Sequence, residues 1–259
     1  MNLHQLFLTE NDCYKAGRTI TPKGVMVHST GANNPNLKRY VGPDDGLLGT
    51  NTNNNHWNRS GTSACVHAFI GKLADGTIAT YQTLPWTMRG WHCGADGNNT
   101  HISFEICEDG LTDADYFNSV YQEAVELTAY LCAEFSLDPT DTSVVLCHQE
   151  GYRLGIASNH SDVEHWFPKF GKSMDDFRAD VKAEMEGDIV TYDEFKAFMG
   201  QYLTEVQQKE GSSWSEEART WAEDNGFIQG DQNGNCMWQS SLTREQFAQV
   251  LKRYDETKT

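Results

Sequence analysis

Two histidines stand at the ends of short apolar segments that are typical of buried strands. His28 closes the run GVMVH and His148 closes the run VVLCH. A side chain at the end of a strand leaves the sheet and can meet solvent or a ligand. Catalytic zinc sites use three protein ligands through nitrogen, oxygen or sulfur and leave a fourth position for water. His28 and His148, joined by one of His160, Asp162 or His165, would complete such a set.

A carboxylate lies on a third segment that has the alternation of a strand. Over residues 101–107, polar side chains alternate with the apolar side chains of Ile102, Phe104 and Ile106. Because successive side chains of a strand point to opposite faces, Glu105 is expected on the polar face of the sheet. Two further strands are predicted at residues 65–71 and 77–84, joined by the strong hairpin signal Asp-Gly.

Two helices are predicted after these strands. The first has apolar residues at helical spacing up to Phe135, with Thr112 as its expected N-cap. The second begins at Ser173, where Asp176 completes a capping pattern. Strands interleaved with helices predict an α/β domain with a mixed central sheet flanked by helices.

Four sequence blocks, in this order, are similar to those of one known family. They read GVMVHST from Gly24, WHCG from Trp91, ISFEI from Ile102 and VVLCH from Val144. On these blocks, residues from about 24 to 177 resemble the zinc-dependent N-acetylmuramoyl-L-alanine amidases. That family includes phage endolysins and shares its fold with peptidoglycan-recognition proteins. The resemblance implies one zinc ion per catalytic domain, bound by His28 and His148, with Glu105 as the general base.

The third ligand differs from the family pattern. The family shows Lys-x-Asp or Lys-x-Cys after its second histidine, where the last residue binds zinc and the lysine stabilises the oxyanion. Here the matching residues read His160-Ser161-Asp162. The resemblance therefore implies Asp162 as the ligand and His160 in the place of the lysine. A rival assignment makes His160 the ligand and Asp162 its partner, and His165 is interpreted as structural.

Three more residues are expected near the substrate. By resemblance, His92 and Trp91 of the WHCG block line the saccharide and peptide cleft. His67 is assigned to substrate binding as well, although a packing role explains it equally well. A histidine at position 160 also leaves the pH optimum open, because an imidazole changes charge near neutral pH and a lysine does not.

The composition changes after Gly187. We predict a catalytic domain over residues 1–187, a linker helix over 188–210 and a small helical module over 211–259. The last segment resembles one S-layer homology repeat, on Trp214, Trp221 and the run LTREQFA. Repeats of that family bind secondary cell-wall polymers. A single copy leaves three alternatives open, namely wall attachment, self-association and a folded appendage without its own ligand.

Charge and hydrophobicity exclude other classes of protein. The chain has 37 acidic and 20 basic residues, a formal net charge of −17, which argues against nucleic acid as a partner. No apolar run is long enough for a membrane span. The seven cysteines show no CxxC spacing and are predicted to be reduced and buried.

The resemblance to the amidase family implies a peptidoglycan hydrolase. It would cleave the amide between N-acetylmuramic acid and the L-alanine of the stem peptide, as a phage or prophage endolysin that lyses cells. The start of the sequence lacks a basic and apolar leader, so synthesis in the cytoplasm without a signal peptide is expected, with action on the wall after release. The alternative is a non-catalytic peptidoglycan-binding protein of the same fold.

Overall fold

The computed structural model describes residues 1–187 and 191–258. The chain forms two compact units, Met1–Asp188 and Ile189–Thr259. The start of the predicted linker helix, residues 188–190, lies outside the described residues. The functional division into catalytic domain, linker and wall-binding module stays a prediction.

The first unit is built on a six-stranded mixed sheet. Its strands are β1 (Leu3–Gln5), β2 (Gly24–Ser29), β3 (Ala68–Lys72), β4 (Ile78–Gln82), β5 (His101–Ile106) and β6 (Val145–Cys147). Their order across the sheet is β1-β4-β3-β5-β2-β6. Only β3 and β4 pair antiparallel, and the other four pairings are parallel. The predicted mixed central sheet flanked by helices is therefore confirmed.

The sequence located five of the six strands. The predicted hairpin joins β3 to β4, and Gly76 adopts the left-handed φ of +90° that its turn requires. Residues 65–67, predicted as the start of a strand, precede β3, and Cys65 instead forms an isolated bridge with Trp91. The three-residue β1 was not predicted, because its sequence Leu-His-Gln contains no continuous apolar run, unlike the equally short β6.

Four α-helices lie in the described part of the first unit. They are α1 (Asp12–Ala16), α2 (Ala114–Phe135), α3 (His148–Arg153) and α4 (Met174–Gly187). The prediction of Thr112 as the cap of α2 is wrong, since the N-cap is Asp113, whose carboxylate accepts from the backbone N–H groups of Asp115 and Tyr116. Asp113 stands one residue closer to the helix, and its carboxylate reaches the free N–H groups of the first turn, as is typical of a strong N-cap residue. Ser173 and Asp176 do form the expected reciprocal cap before α4.

The two faces of the sheet have different partners. One face is apolar and packs against α2 and α4 in the main core, with Val25, Val27, Phe104, Ile106 and Val145 fully buried. The other face carries His28, Ser103 and Glu105 and is covered by the loops that connect the strands. The alternation predicted for residues 101–107 is thus observed, and it directs Glu105 away from the main core.

The second unit is helical and has little core of its own. It contains α5 (Tyr192–Gln208), α6 (Glu216–Asp224) and α7 (Arg244–Glu256). Within the predicted linker helix over 188–210, the structure forms α5, with Thr191 and Glu194 as its capping box. Among the described hydrophobic residues of this unit, only Ala222 and Phe227 are buried.

Two further expectations concern membranes and cysteines. None of the helices in the described part of the chain has the length and apolar character that a membrane crossing requires. All seven cysteines lie in the described residues and are free thiols, and six of them are buried. The exception is Cys236, which is partly exposed.

Candidate active site

Three adjacent parallel strands bring the predicted catalytic residues to one edge of the sheet. In the pairing of β2 with β5, His28 lies opposite Glu105. In the pairing of β2 with β6, Val27 lies opposite Cys147, so the next residue, His148, comes level with His28. Because parallel strands end at the same edge, residues 120 positions apart in sequence become neighbours there.

His28, His148 and Asp162 form one cluster of ligand atoms. The Oδ2 atom of Asp162 lies 2.8 Å from Nδ1 of His28 and 3.0 Å from Nδ1 of His148. The two Nδ1 atoms are 3.1 Å apart. Both histidines are buried and Asp162 is half-buried. This is the ligand set that the family resemblance implied, and it is the group that the described residues offer to a metal ion.

The outer ring nitrogens of both histidines also have partners. Nε2 of His28 lies 3.0 Å from Nδ1 of His92, and Nε2 of His148 lies 3.2 Å from the hydroxyl of Ser158. Metal-binding histidines commonly donate their second N–H to such a group, which fixes the tautomer and the ring orientation. With both Nε2–H groups directed outward, both Nδ1 lone pairs point to the carboxylate.

This donor set fits a metal ion. Two lone pairs and a carboxylate oxygen within 3.1 Å of one another repel unless positive charge lies between them. Ring protons can supply that charge, and so can a cation. Ligand atoms on one tetrahedral zinc lie about 3.3 Å apart, close to the spacing seen here. Two imidazoles and one carboxylate are also a ligand set that catalytic zinc uses.

The backbone beside Asp162 fixes its position, and its surroundings keep its carboxylate ionised. The next residue, Val163, has the positive φ of 29°, unusual for a β-branched residue, and its N–H donates to the hydroxyl of Ser29 on β2. Burial raises the pKa of Asp162, but in the metal-free protein, where ring protons on Nδ1 can donate to it, hydrogen bonds from His148 and His28 outweigh burial and lower the pKa. The carboxylate therefore stays ionised at neutral pH.

Glu105 faces the same cleft without a fixed partner. Its Oε2 atom is buried and makes no hydrogen bond among the described residues. Burial raises the pKa of Glu105 well above its usual value, and the nearby charges of Asp162 and Glu108 raise it further. A carboxyl group with a raised pKa can exchange a proton near neutral pH, as a general base requires.

The cleft has a volume of about 980 Å³ and is lined by both loops and strand ends. Trp91, His92 and His160 line it together with the ligand cluster and Glu105. His160 is exposed, and its Nδ1 lies 3.1 Å from the hydroxyl of Ser158. In the structure, Asp162 contacts both histidine ligands and His160 stands beside them, its ring 4.7 Å from that of His148.

His67 is not among the residues that line the cleft. It is fully buried, its Nδ1 accepts the backbone N–H of Ser103 at 3.0 Å, and its Nε2 lies 2.7 Å from the carbonyl of Met88. Both ring nitrogens are thus occupied by protein groups, which corresponds to the packing alternative. His165, interpreted as structural, lies outside the cluster, with Nε2 3.0 Å from Oε1 of the buried Glu108.

Two contributors to the site were not identified from the sequence. Ser158 bridges His148 and His160 through its hydroxyl. Asn98 accepts the backbone N–H groups of His92 and Cys93 at 2.9 and 3.0 Å, and so orders the turn that carries His92. The only sequence signal for Ser158 was its position two residues before His160. Serine and asparagine are common in loops, so neither residue type by itself indicates a site.

Comparisons with known proteins show what this chain is similar to. The family model described as N-acetylmuramoyl-L-alanine amidase matches residues 18–166. No curated protein matches the chain significantly. Among solved structures, the hydrolase AmiA of Staphylococcus aureus in complex with its ligand has a TM-score of 0.51 and 18% identity, covering 74% of this chain and 87% of its own.

Two other solved structures are similar at lower scores. The catalytic domain of PlyG has a TM-score of 0.48 and 19% identity, covering 74% of this chain and 98% of its own. A mutant endolysin from Bacillus subtilis has a TM-score of 0.45 and 23% identity, covering 70% and 99%.

Proposed function

The chain belongs to the N-acetylmuramoyl-L-alanine amidase family, and from this premise we propose that it hydrolyses peptidoglycan with one zinc ion held by His28, His148 and Asp162. The bond cleaved joins N-acetylmuramic acid to the L-alanine of the stem peptide. The observation that carries the proposal is the cluster of three ligand atoms in the same cleft as Glu105, whose Oε2 atom is buried and has no hydrogen-bond partner among the described residues. When bound, zinc would polarise the scissile carbonyl and lower the pKa of a water.

Glu105 performs the proton transfers. As water attacks the amide carbonyl, Glu105 accepts its proton, and it then delivers that proton to the departing amine of L-alanine. The buried environment favours its protonated form, so the proton can be held between the two steps. The register of β2 with β5 places Glu105 level with His28, and therefore next to the ligand cluster.

His160 stabilises the negative charge that develops on the carbonyl oxygen. It stands beside His148 at the exposed side of the cluster, where substrate can reach it. The hydroxyl of Ser158 contacts Nδ1 of His160, which leaves Nε2 free to donate toward the cleft when it carries the proton. Trp91 and His92 line the cleft and contact the saccharide and peptide.

The reaction is tested on purified peptidoglycan. The protein should release new amino termini of alanine and no new reducing sugar ends, and it should contain one zinc per chain by elemental analysis. Dialysis against a chelator should abolish activity, and zinc should restore it. New reducing ends, or full activity in the metal-free protein, would contradict the proposed reaction.

The second unit, in our proposal, directs the enzyme to cell walls, so that the whole chain acts as a lysis enzyme of the endolysin type. The support is the likeness of residues 211–259 to an S-layer homology repeat. Residues 1–187 alone should then cleave soluble muropeptides as the full chain does, but should sediment less with intact walls. Equal sedimentation of the two proteins would remove wall binding from the role of the second unit.

A further inference from the structure

Helix α5 presents a continuous apolar face of seven residues, of which six are exposed and Val206 is partly buried. Five residues follow the spacing 3, 4, 3, 4 along it, namely Tyr192, Phe195, Met199, Tyr202 and Val206. At 100° per residue, these positions together with Phe198 and Leu203 lie within about 140° of the helix circumference. All charged residues of the helix lie on the remaining side. The helix has no buried residue.

The exposure of this face is large for a protein surface. Six of its side chains are 39–74% exposed, namely Tyr192, Phe195, Phe198, Met199, Tyr202 and Leu203. Taking about 200 Å² for a fully exposed side chain of this size, they leave roughly 650 Å² of apolar surface in water. Monomeric proteins rarely leave contiguous apolar patches larger than about 300–600 Å².

The unit that contains α5 cannot bury this face by itself. Ala222 and Phe227 are its buried hydrophobic residues among those described, although α6 and α7 carry further exposed aromatic side chains. Domains of this size gain little stability from a single core, and natural ones often add a metal, disulfides or association. The seven cysteines are free, so disulfides do not serve this purpose here.

We propose that α5 is an association surface whose occupant is the α5 helix of a second copy of this chain. A repeat of alternating three- and four-residue spacing is the pattern by which helices pack against one another along a shared seam. The roughly 650 Å² estimated for one helix approaches the about 800 Å² that each partner contributes to a standard interface. The local signals also favour a preformed helix, because the Thr191–Glu194 capping box forms within α5 itself.

The charges of α5 are compatible with this pairing. Lys196, next to the seam, is paired with Asp193 on its own helix at 3.3 Å, and its ammonium lies over the ring of Tyr192 at 4.9 Å. Glu205 lies at the opposite border of the apolar face. No charged side chain of α5 therefore has to be buried between two copies.

The test measures the mass of the full chain by sedimentation between about 1 and 100 μM, where interfaces of this size form even when they are weak. The unchanged protein should reach at least twice the 29.2 kDa of one chain. Phe195→Glu with Tyr202→Glu places two carboxylates in the seam and should return the protein to one chain. Ala197→Glu with Thr204→Glu is the matched control, since it adds the same two charges at the same spacing on the opposite side of α5.

Amidase activity on soluble muropeptides should be unchanged in both double variants, because the catalytic unit is not altered. Circular dichroism should also be unchanged, because the capping box of α5 is kept and the helix forms without its partner. A single-chain mass for the unchanged protein at every concentration would overturn the proposal. So would a seam variant that keeps its partner, or a control variant that loses it equally. If the unchanged protein stays a single chain and the seam variant alone loses binding to purified walls, the occupant of α5 is a wall polymer instead, and the proposal is wrong.

Discussion

Nε2 of His28 lies 3.0 Å from Nδ1 of His92, so that one histidine of the ligand cluster is oriented by another histidine. Burial lowers the pKa of His92 well below its usual value, and the neighbouring His28 lowers it further, which keeps His92 neutral. The Nδ1 atom of a neutral His92 ring can accept a hydrogen bond from the Nε2–H of His28, which fixes the orientation of the His28 ring. The turn that positions His92 is itself fixed by Asn98.

We therefore expect His92→Leu to weaken zinc binding about 10- to 100-fold, the usual loss when a partner of a metal-binding histidine is removed. His92→Asn should lose less, because its amide oxygen can still accept the N–H of His28. The measurement is the zinc dissociation constant by competition with a chelator. Equal zinc affinity in His92→Leu and the unchanged protein would show that His92 serves only the substrate.

Two single variants decide between Asp162 and His160 as the third ligand. Asp162→Asn keeps the size of the side chain but removes the ligand charge, so zinc content should fall strongly. His160→Ala should keep zinc and lose about 10²–10³ in rate, the cost of one oxyanion donor. Elemental analysis and turnover on soluble muropeptides are measured for both. The reverse outcome, with zinc lost in His160→Ala and kept in Asp162→Asn, would make His160 the ligand.

Glu105→Gln tests the proton transfers. Glutamine has nearly the same shape but cannot accept a proton, so turnover should fall about 10²–10⁴-fold while zinc is retained. Glu164→Gln is a suitable control, because that carboxylate pairs with Arg153 outside the cleft. Turnover is measured on soluble muropeptides at saturating substrate. Nearly normal turnover in Glu105→Gln would remove this residue from the mechanism.

The sequence predicted the functional residues at the ends of the strands better than those in the loops. Strand-end histidines, the alternation over residues 101–107 and the Asp-Gly turn are local patterns, and together they place His28, Glu105 and His148. Helix α3 was not predicted, because it starts at His148 itself and its first turn is secured by Glu150, which accepts the N–H of Cys147 and is held by Arg178. Such support comes from α4 and leaves no local signal.

His67 is a second residue whose role depends on contacts that the sequence does not show. The sequence could not separate a cleft residue from a packed one, because the deciding partners, Ser103 and Met88, are 36 and 21 residues away. Only the folded chain shows that both ring nitrogens are occupied. The same packing gives His67 a measurable effect on stability.

Burial lowers the pKa of His67 to about 4, against a value near 6.5 in an unfolded chain. Between these two values the unfolded chain binds more protons than the folded one, so the free energy of unfolding falls as the pH falls. The contribution of His67 to the free energy of unfolding is fully present above pH ~6.5, and below that pH it decreases by about 1.4 kcal/mol per pH unit. In His67→Gln this titration is absent. Denaturant unfolding of the metal-free proteins between pH 5 and 7.5 should therefore show the stability advantage of the unchanged protein shrinking toward acid pH, and an advantage that stays constant with pH would contradict the prediction.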